Sequence, residues 1–565
     1  MKQQHNSRRD FLRKAGLTLG AGVLAPLSHM AASFNKETKP NEEESPIKKT
    51  RVTLFQTTDV HCQLHPHDEL YWENGQAVFR EAGGYATISA MFQSLRKKNP
   101  NALFIDTGDM FQGSQLSVKT TGDAFVPILN ACEYDLFLPG NWEVIYGKKR
   151  MQELMGQLEA PTICTNMFHD LGNKQKGDFI FKPYAVQAFE DVRIGFLGYT
   201  DPLVPIRQSP NYSKGILYTA PEENLAEYVH YLRETEKCDA IIVLAHLGLS
   251  QQIALSNHPA CEGVNYILGG DTHERVRVPL QGKYAKVVEP GAFGSFIGQL
   301  DLYFENKHLV HDAYQLLDVS PDEHVANPKM NRLIEKAETA WENDIYSVIG
   351  YSTIPLYRYF VIENPIDTLV LNALHDHFPD TDIVLSNGFR FCPPRTTPNE
   401  NGLIPITNGY VVDMLPVDST VRKGKVSGKQ LLEWLEKELN NVFAADASKR
   451  FGGWVVKFKG MKLKFYAFKP MGQRIESVEV RGVPLDETKT YSILACERDG
   501  DPADMLCRIK GVKEAENTPY SLHGVLGSYI QKHSPVTPTP EKNAIALDAP
   551  ETLLSQVHGV PYTFQ

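Results

Sequence analysis

The sequence predicts a layered α/β domain followed by a second, α+β domain. Three observations carry that reading. Between about residues 51 and 320, short apolar segments alternate with stretches of helical periodicity, the pattern of strands that need helices to cover them. Each motif able to bind a metal begins at the C-terminal end of one of those segments, where open α/β sheets place their ligands. After residue 347 the pattern changes to helices mixed with alternating strands. A length of 565 residues supports two or three domains of this kind.

In chain order, Ser7-Arg8-Arg9-Asp10-Phe11-Leu12-Arg13 and an apolar stretch over 15–27 resemble a twin-arginine export signal, assigned to residues 1–33. The stretch is too short for a membrane span, so export to the periplasm or beyond, with no stable span after signal removal, is expected. Residues 34–50 are charged and poor in apolar side chains and read as a tether. The first domain, 51–325, has expected strands at 52–57, 102–106, 135–138, 193–199, 240–245 and 266–268. A linker over 326–346 contains an amphipathic pattern at 330–346 that predicts one connecting helix. The second domain, 347–535, has expected helices at 365–377 and 427–440, with Ser427 as N-cap, and strands at 454–458 and 462–468. The proline-rich end, 536–565, reads as a surface tail.

A formal charge of -10 argues against a nucleic-acid polymer as partner and leaves a small anionic substrate open, provided its site is local. The eight cysteines include no CxxC pair, so they indicate neither a disulfide framework nor a zinc knuckle.

The chemistry-bearing residues follow the strands. Asp59 and His61 come after the first, two apart in what reads as an extended segment, so that both leave the same face. Asp109 follows the second, Asn141 the third, His246 the strand at 240–245, and Asp271 and His273 the last. Three carboxylates, three imidazoles and an amide are a donor set for two divalent ions, with one carboxylate between them. Two close ions would lower the pKa of a bridging water enough to give hydroxide near neutral pH, with no serine or cysteine nucleophile.

In this order the chain resembles the calcineurin-like metallophosphoesterases of the 5'-nucleotidase branch, whose pattern is D-x-H, G-D, G-N-H-E, H and G-H-x-[HQ]. The resemblance implies a four-layer α/β-β/α metallophosphoesterase domain followed by a 5'-nucleotidase C-terminal-like domain, and a hydrolase acting on ester bonds. Carried across, it implies that Asp59, His61 and His273 hold one metal and Asn141, His246 and Asp271 the other, with Asp109 bridging. Asp271 departs from the family's histidine and makes the site harder, which favours manganese over zinc. In the second domain Leu385-Ser386-Asn387-Gly388-Phe389-Arg390-Phe391 is similar to the family's anion-binding segment. There Asn387, Arg390 and, from Leu356-Tyr357-Arg358, Arg358 would contact substrate. Asn141 and Arg390 are the residues expected to act in catalysis.

Two departures bear on the substrate. The family's histidine after the asparagine, and the aspartate three residues on, are Trp142 and Ile145 here, and an indole cannot shuttle a proton. The segments that would carry a phenylalanine clamp for a base read Leu415-Pro416-Val417-Asp418-Ser419 and Ala495-Cys496-Glu497-Arg498-Asp499-Gly500-Asp501, with no aromatic. Trp142-Glu143 and Phe451-Gly452-Gly453-Trp454 also resemble the thiosulfohydrolase of bacterial sulfur oxidation. The expected function is therefore an exported two-metal hydrolase of nucleotides or other small phosphate esters. One alternative is release of sulfate from a cysteine-S-thiosulfonate on a carrier protein; another is a metal- or anion-binding protein without turnover.

Overall fold

The computed structural model describes residues 47–386 and 392–554. The strands that build the site are β1 (Lys49–Thr57), β2 (Ala102–Asp106), β3 (Leu136–Phe137), β4 (Val192–Thr200), β5 (Ala240–His246) and β6 (Tyr266–Gly270). The helices used below are α1 (Tyr85–Lys98), α2 (Val204–Arg207), α3 (Leu225–Glu234), α4 (Leu249–Asn257), α5 (Pro365–His377) and α6 (Gly428–Phe443).

Two large sheets form the centre of the first domain. In the five-stranded sheet the order is His308–Asp318, Phe296–Glu305, β1, β2, β3; in the six-stranded sheet it is Leu280–Gln281, Lys286–Val288, β6, β5, β4, Tyr184–Phe189. Period-two alternation on β5 shows how they stack. Ala240, Ile242 and Leu244 join one apolar core with Val52, Leu54 and Phe104 of the other sheet and Ile88 and Phe92 of α1. Ile241, Val243 and Ala245 face the opposite way, into a second core with Leu225 and Leu232 of α3 and Leu249 of α4. The domain is thus helix, sheet, sheet, helix, which is the four-layer arrangement expected.

Register brings the motif-bearing ends together. Thr57 pairs with Asp106 and Asp106 with Phe137 across parallel β1, β2 and β3, while His246 pairs with Gly270 across parallel β5 and β6. The Gln56 side-chain amide donates to the Gly269 carbonyl at 2.8 Å and ties the two sheets at that edge.

The second domain is built on a sheet ordered Lys457–Lys459, Ile383–Ser386, Thr490–Cys496, Thr420–Ser427, Lys513–Ser521, with α5 and α6 against it. Ser427 caps α6 through a capping box with Gln430. Among the described residues no helix is long and apolar enough to cross a membrane.

Four local expectations are corrected. Residues 330–346 form two helices, Pro328–Glu338 and Glu342–Ile345, because the chain turns at Trp341, which packs against the first core. The strand expected at 454–458 starts only at Lys457, leaving Trp454 in a loop. The strand expected at 462–468 runs Met461–Phe465, with an irregularity in pairing at Lys464/Phe465. The described part of the expected tail is not free: Ala544–Ala546 adds a parallel strand beside Met461–Phe465, and Asp548 accepts the N–H groups of Ala467 and Phe468. Prolines that cannot donate to a ladder hid the pairing segment that follows them.

Candidate metal centre

Asp59 and His61 do not lie in an extended segment. Both sit beyond the end of β1 at positive φ, 50° and 47°, as do Asp109, Asp271 and His273 at 62°, 90° and 62°. Left-handed backbone is uncommon for residues with a Cβ and persists where the surroundings fix it, so five strained positions in one cluster mark a site. Gly108, φ 110°, makes the turn before Asp109 pass close to Gly140, where a Cβ would meet the Gly140 backbone at 2.5 Å.

Backbone carbonyls choose the imidazole tautomers. The Nδ1–H of His61 donates to Gln112 O at 2.9 Å and that of His246 to Thr107 O at 2.7 Å. A carbonyl can only accept, so each ring turns its Nε2 lone pair inward. Asp59 Oδ2 accepts from Thr58 Oγ1 at 2.7 Å and from the Asp271 N–H at 3.0 Å, which aims its Oδ1 at three Nε2 atoms: His273 at 3.4 Å, His61 at 3.8 Å and His246 at 3.8 Å. That Oδ1 is buried and meets no donor in hydrogen-bonding geometry. Asp109 Oδ2 lies 3.2 Å from His246 Nε2 and 3.7 Å from His61 Nε2.

Two groups of donor atoms, each within 4.8 Å, result: Asp59, His61 and His273, and Asp59, Asp109 and His246. His61 Nε2 also lies 3.1 Å from His273 Nε2, and the two groups gather imidazole nitrogens and carboxylate oxygens of the kinds that divalent ions bind. Both Asp59 and Asp109 stand between the groups. The charges agree. Burial would raise Asp59, yet His246 and the neighbouring imidazoles hold it below the carboxylate range. Burial pushes His61 down to about 4, which keeps it a neutral donor near pH 7. For His246 burial is outweighed by Asp109 and Asp59, so its pKa is raised well above the usual value, a sign that the carboxylates call for positive charge.

Asn141 and Asp271 join from the other side. The Asn141 amide nitrogen donates to Asp271 Oδ1, which lies 3.9 Å from His246 Nε2. Arg358 is 3% exposed, donating from Nε to Asp367 Oδ1 at 2.9 Å and from Nη1 to Met414 O at 2.9 Å, and it lines the cavity that adjoins the cleft. Asn387 and Arg390 lie outside the described residues.

Several neighbours have contacts that the sequence reading did not assign. Glu143, 1% exposed, accepts four backbone N–H groups, from Asp109 at 3.0 Å, Met110 at 2.7 Å, Phe111 at 3.3 Å and Gly140 at 2.5 Å, and so fastens the loop after β2 to the loop after β3. Burial, then the Asp109 charge, push it up to about 7. An acid in the segment after Asn141 was the available signal. The cleft over the donor cluster is walled by the second domain, through Arg450, Phe451, Trp454 and the Glu438–Arg508 ion pair. Gln251 of α4 fastens that wall by donating to Arg450 O at 2.9 Å and approaching Ser448 O at 3.2 Å. Trp142, 7% exposed, lines both this cleft and an adjoining cavity formed by the two clamp segments that lack aromatics, with Tyr212 beside them.

Comparison with known proteins matches this architecture. Residues 52–275 match the calcineurin-like phosphoesterase family and residues 348–496 the 5'-nucleotidase C-terminal domain. The chain is a calcineurin-like phosphoesterase with a 5'-nucleotidase C-terminal domain. This phosphoesterase is 24% identical over 546 residues to an apyrase of Tabanus yao, covering 88% of the chain and 94% of that protein. Its fold is similar to the sulfate thiohydrolase SoxB of Thermus thermophilus, at 22% identity and TM-score 0.79 over 89% of the chain and 98% of that structure. A 5'-nucleotidase precursor of Thermus thermophilus is also similar in fold, at 22% identity and TM-score 0.75 over 89% of the chain and all (100%) of that structure. Relatives named apyrase and 5'-nucleotidase place the chain among the phosphoester hydrolases, a metal-binding superfamily.

Proposed function

We propose that this phosphoesterase is an exported, two-metal hydrolase of small phosphate esters, nucleotides included. The observation that carries the reading is Asp59 Oδ1 aimed at three imidazole Nε2 atoms, two of which have their tautomers set by backbone carbonyls. Asp59, His61 and His273 would hold one ion; Asp109, His246 and Asp271, with Asn141, the other, Asp109 lying between. Divalent ions there, manganese or zinc, supply Lewis acidity toward a phosphoryl oxygen and lower the pKa of water.

The remaining work falls to the chain's own residues. The Glu143 clamp holds Asp109 in place before substrate arrives, and the αL turns keep Asp59, His61, Asp271 and His273 pointed inward. The cleft wall from the second domain offers guanidinium and aromatic surface to an anion with an apolar body. Arg390 and Asn387 are further candidates for the substrate anion.

Trp142 favours a second reading. An indole at the family's histidine position gives no proton to a leaving group, which suits a thiolate-type leaving group better than an alkoxide. Sulfate release from a cysteine-S-thiosulfonate carried by a partner protein has that character. The test is to purify the metal-loaded protein and measure phosphate release from nucleotides and simple esters beside sulfate release from a cysteine-S-thiosulfonate peptide. Phosphate release is expected; sulfate release alone would replace the first reading by the second, and turnover of neither with two ions bound would leave a binding protein.

A further inference from the structure

Within the second half of the centre, two donors are held differently from the rest. His61 and His246 are fixed by backbone groups, the Gln112 and Thr107 carbonyls, and Asp59 by the Asp271 N–H together with Thr58 Oγ1. Asp271 and Asn141 are fixed by side chains, and those come from consecutive residues. Arg207 Nη1 donates to Asp271 Oδ2 at 3.2 Å, and Gln208 Nε2 donates to Asn141 Oδ1 at 3.2 Å. Arg207 ends α2 and Gln208 is its C-cap, so the same turn of chain reaches both.

That turn is itself braced. Asp201, 1% exposed, accepts the Leu203 N–H at 2.9 Å on Oδ1 and faces Arg207 Nη1 at 3.2 Å on Oδ2, so it both starts the turn and pairs with the guanidinium at its end. Val204 is fully buried, and the Gln208 N–H returns to Val204 O at 2.9 Å. From the second domain, the Phe451 ring lies 5.2 Å from the Arg207 guanidinium carbon.

A carboxylate needs such a brace more than an imidazole does. It presents two equivalent oxygens on a rotatable bond, and either can turn to an ion, whereas a ring has one inward nitrogen. With Oδ2 held by Arg207, only Oδ1 faces His246. The Asn141 amide is held at both ends: Gln208 donates to Oδ1, which keeps a second lone pair, and Nδ2 donates to Asp271 Oδ1.

We propose that Arg207 and Gln208 are positioning residues for the second half of the metal centre, setting how Asp271 and Asn141 are presented to an ion there while leaving the first half untouched. The inference rests on the two-metal reading. Removing the guanidinium also removes a positive charge that opposes a dication, so the two effects pull in opposite directions; the brace dominates here because outer-shell partners typically contribute about 10–100-fold to metal affinity.

The test is a manganese titration of the chelated full-length protein, with bound metal counted by elemental analysis and affinities set by a competing chelator. Wild type, Arg207→Met, Arg207→Lys and Gln208→Leu are compared, with far-UV circular dichroism as a fold control. Arg207→Met should keep the first ion at wild-type affinity and bind the second about 10–100-fold more weakly. Arg207→Lys should recover part of the loss, and Gln208→Leu should weaken the same ion. Unchanged or tighter binding of the second ion in Arg207→Met overturns the proposal, as does equal weakening of both ions. A wild type that takes up fewer than two ions overturns the two-metal reading, and the brace with it; two ions in wild type and an unaltered Arg207→Met overturn the brace alone.

Discussion

The backbone N–H of Trp142 donates to Asp109 Oδ1 at 2.8 Å, so residue 142 serves the donor cluster through its main chain whatever side chain it carries. Any non-proline residue at 142 offers the same N–H. Trp142→His with Ile145→Asp, which restores the family's pair, should therefore keep both ions and raise kcat on a phosphate monoester by at least about tenfold, below the roughly 10²–10⁴-fold of a fully positioned general acid. A folded, metal-loaded double variant with unchanged kcat would remove the account given for the missing proton donor.

Glu143 carries its role in two accepting oxygens. Its two oxygens each accept two backbone N–H groups, and an amide would turn an NH2 toward two of those donors. Glu143→Gln should cost about 1–3 kcal/mol of stability, the range for leaving buried donors unmatched. It should also loosen metal binding, because Asp109 rides on the clamped loop. Denaturant unfolding with metal analysis checks both, and wild-type values in each would show that the clamp is not needed.

Metal should stabilise the fold. An ion that binds only the native state adds about 2.7 kcal/mol at a hundredfold excess over its dissociation constant. Manganese or zinc added to chelated protein should raise Tm, and His61→Ala, which removes a donor of the first group, should reduce the shift. No shift in wild type with either ion would count against the centre as described.

Asp106 gives a pH signature. It is fully buried beneath the cluster, accepting from Thr57 Oγ1 at 2.7 Å and the Gly108 N–H at 2.9 Å, and burial pushes its carboxyl up to about 8. Because its folded pKa lies above its unfolded value, the native state binds the proton more tightly. That contribution is full below about pH 4 and is lost as pH rises through about 8. Relative to Asp106→Asn, wild type should therefore lose stability between about pH 5 and about pH 8. Parallel slopes of Tm against pH for the two proteins would contradict the assignment.

Much of the site was legible because strand ends are legible. The apolar runs that became β1, β2, β5 and β6 fixed where Asp59, Asp109, His246 and Asp271 leave the sheets, and parallel register then aligned those ends. Burial on both faces makes such strands nearly continuous apolar segments, which a sequence displays directly. The second domain was legible in α5 and in the capped α6 for the same local reasons. It was not legible at Trp454, where an alternating pattern was recruited to a loop over the cleft, nor at Ala544–Ala546, whose partner strand lies some eighty positions earlier.

By itself, then, the sequence determined the alternation of strands and helices and the chemical kinds of the donors, since periodicity and residue type are local properties. Tertiary structure alone decided which atoms of those donors face one another. Left-handed turns aim Asp59, His61, Asp271 and His273, carbonyls of Thr107 and Gln112 choose the imidazole nitrogens, and Arg207 and Gln208 hold Asp271 and Asn141 from a turn more than sixty residues away from each. None of these can be read locally, because a side chain's direction and tautomer are set by partners that only folding brings within hydrogen-bonding distance.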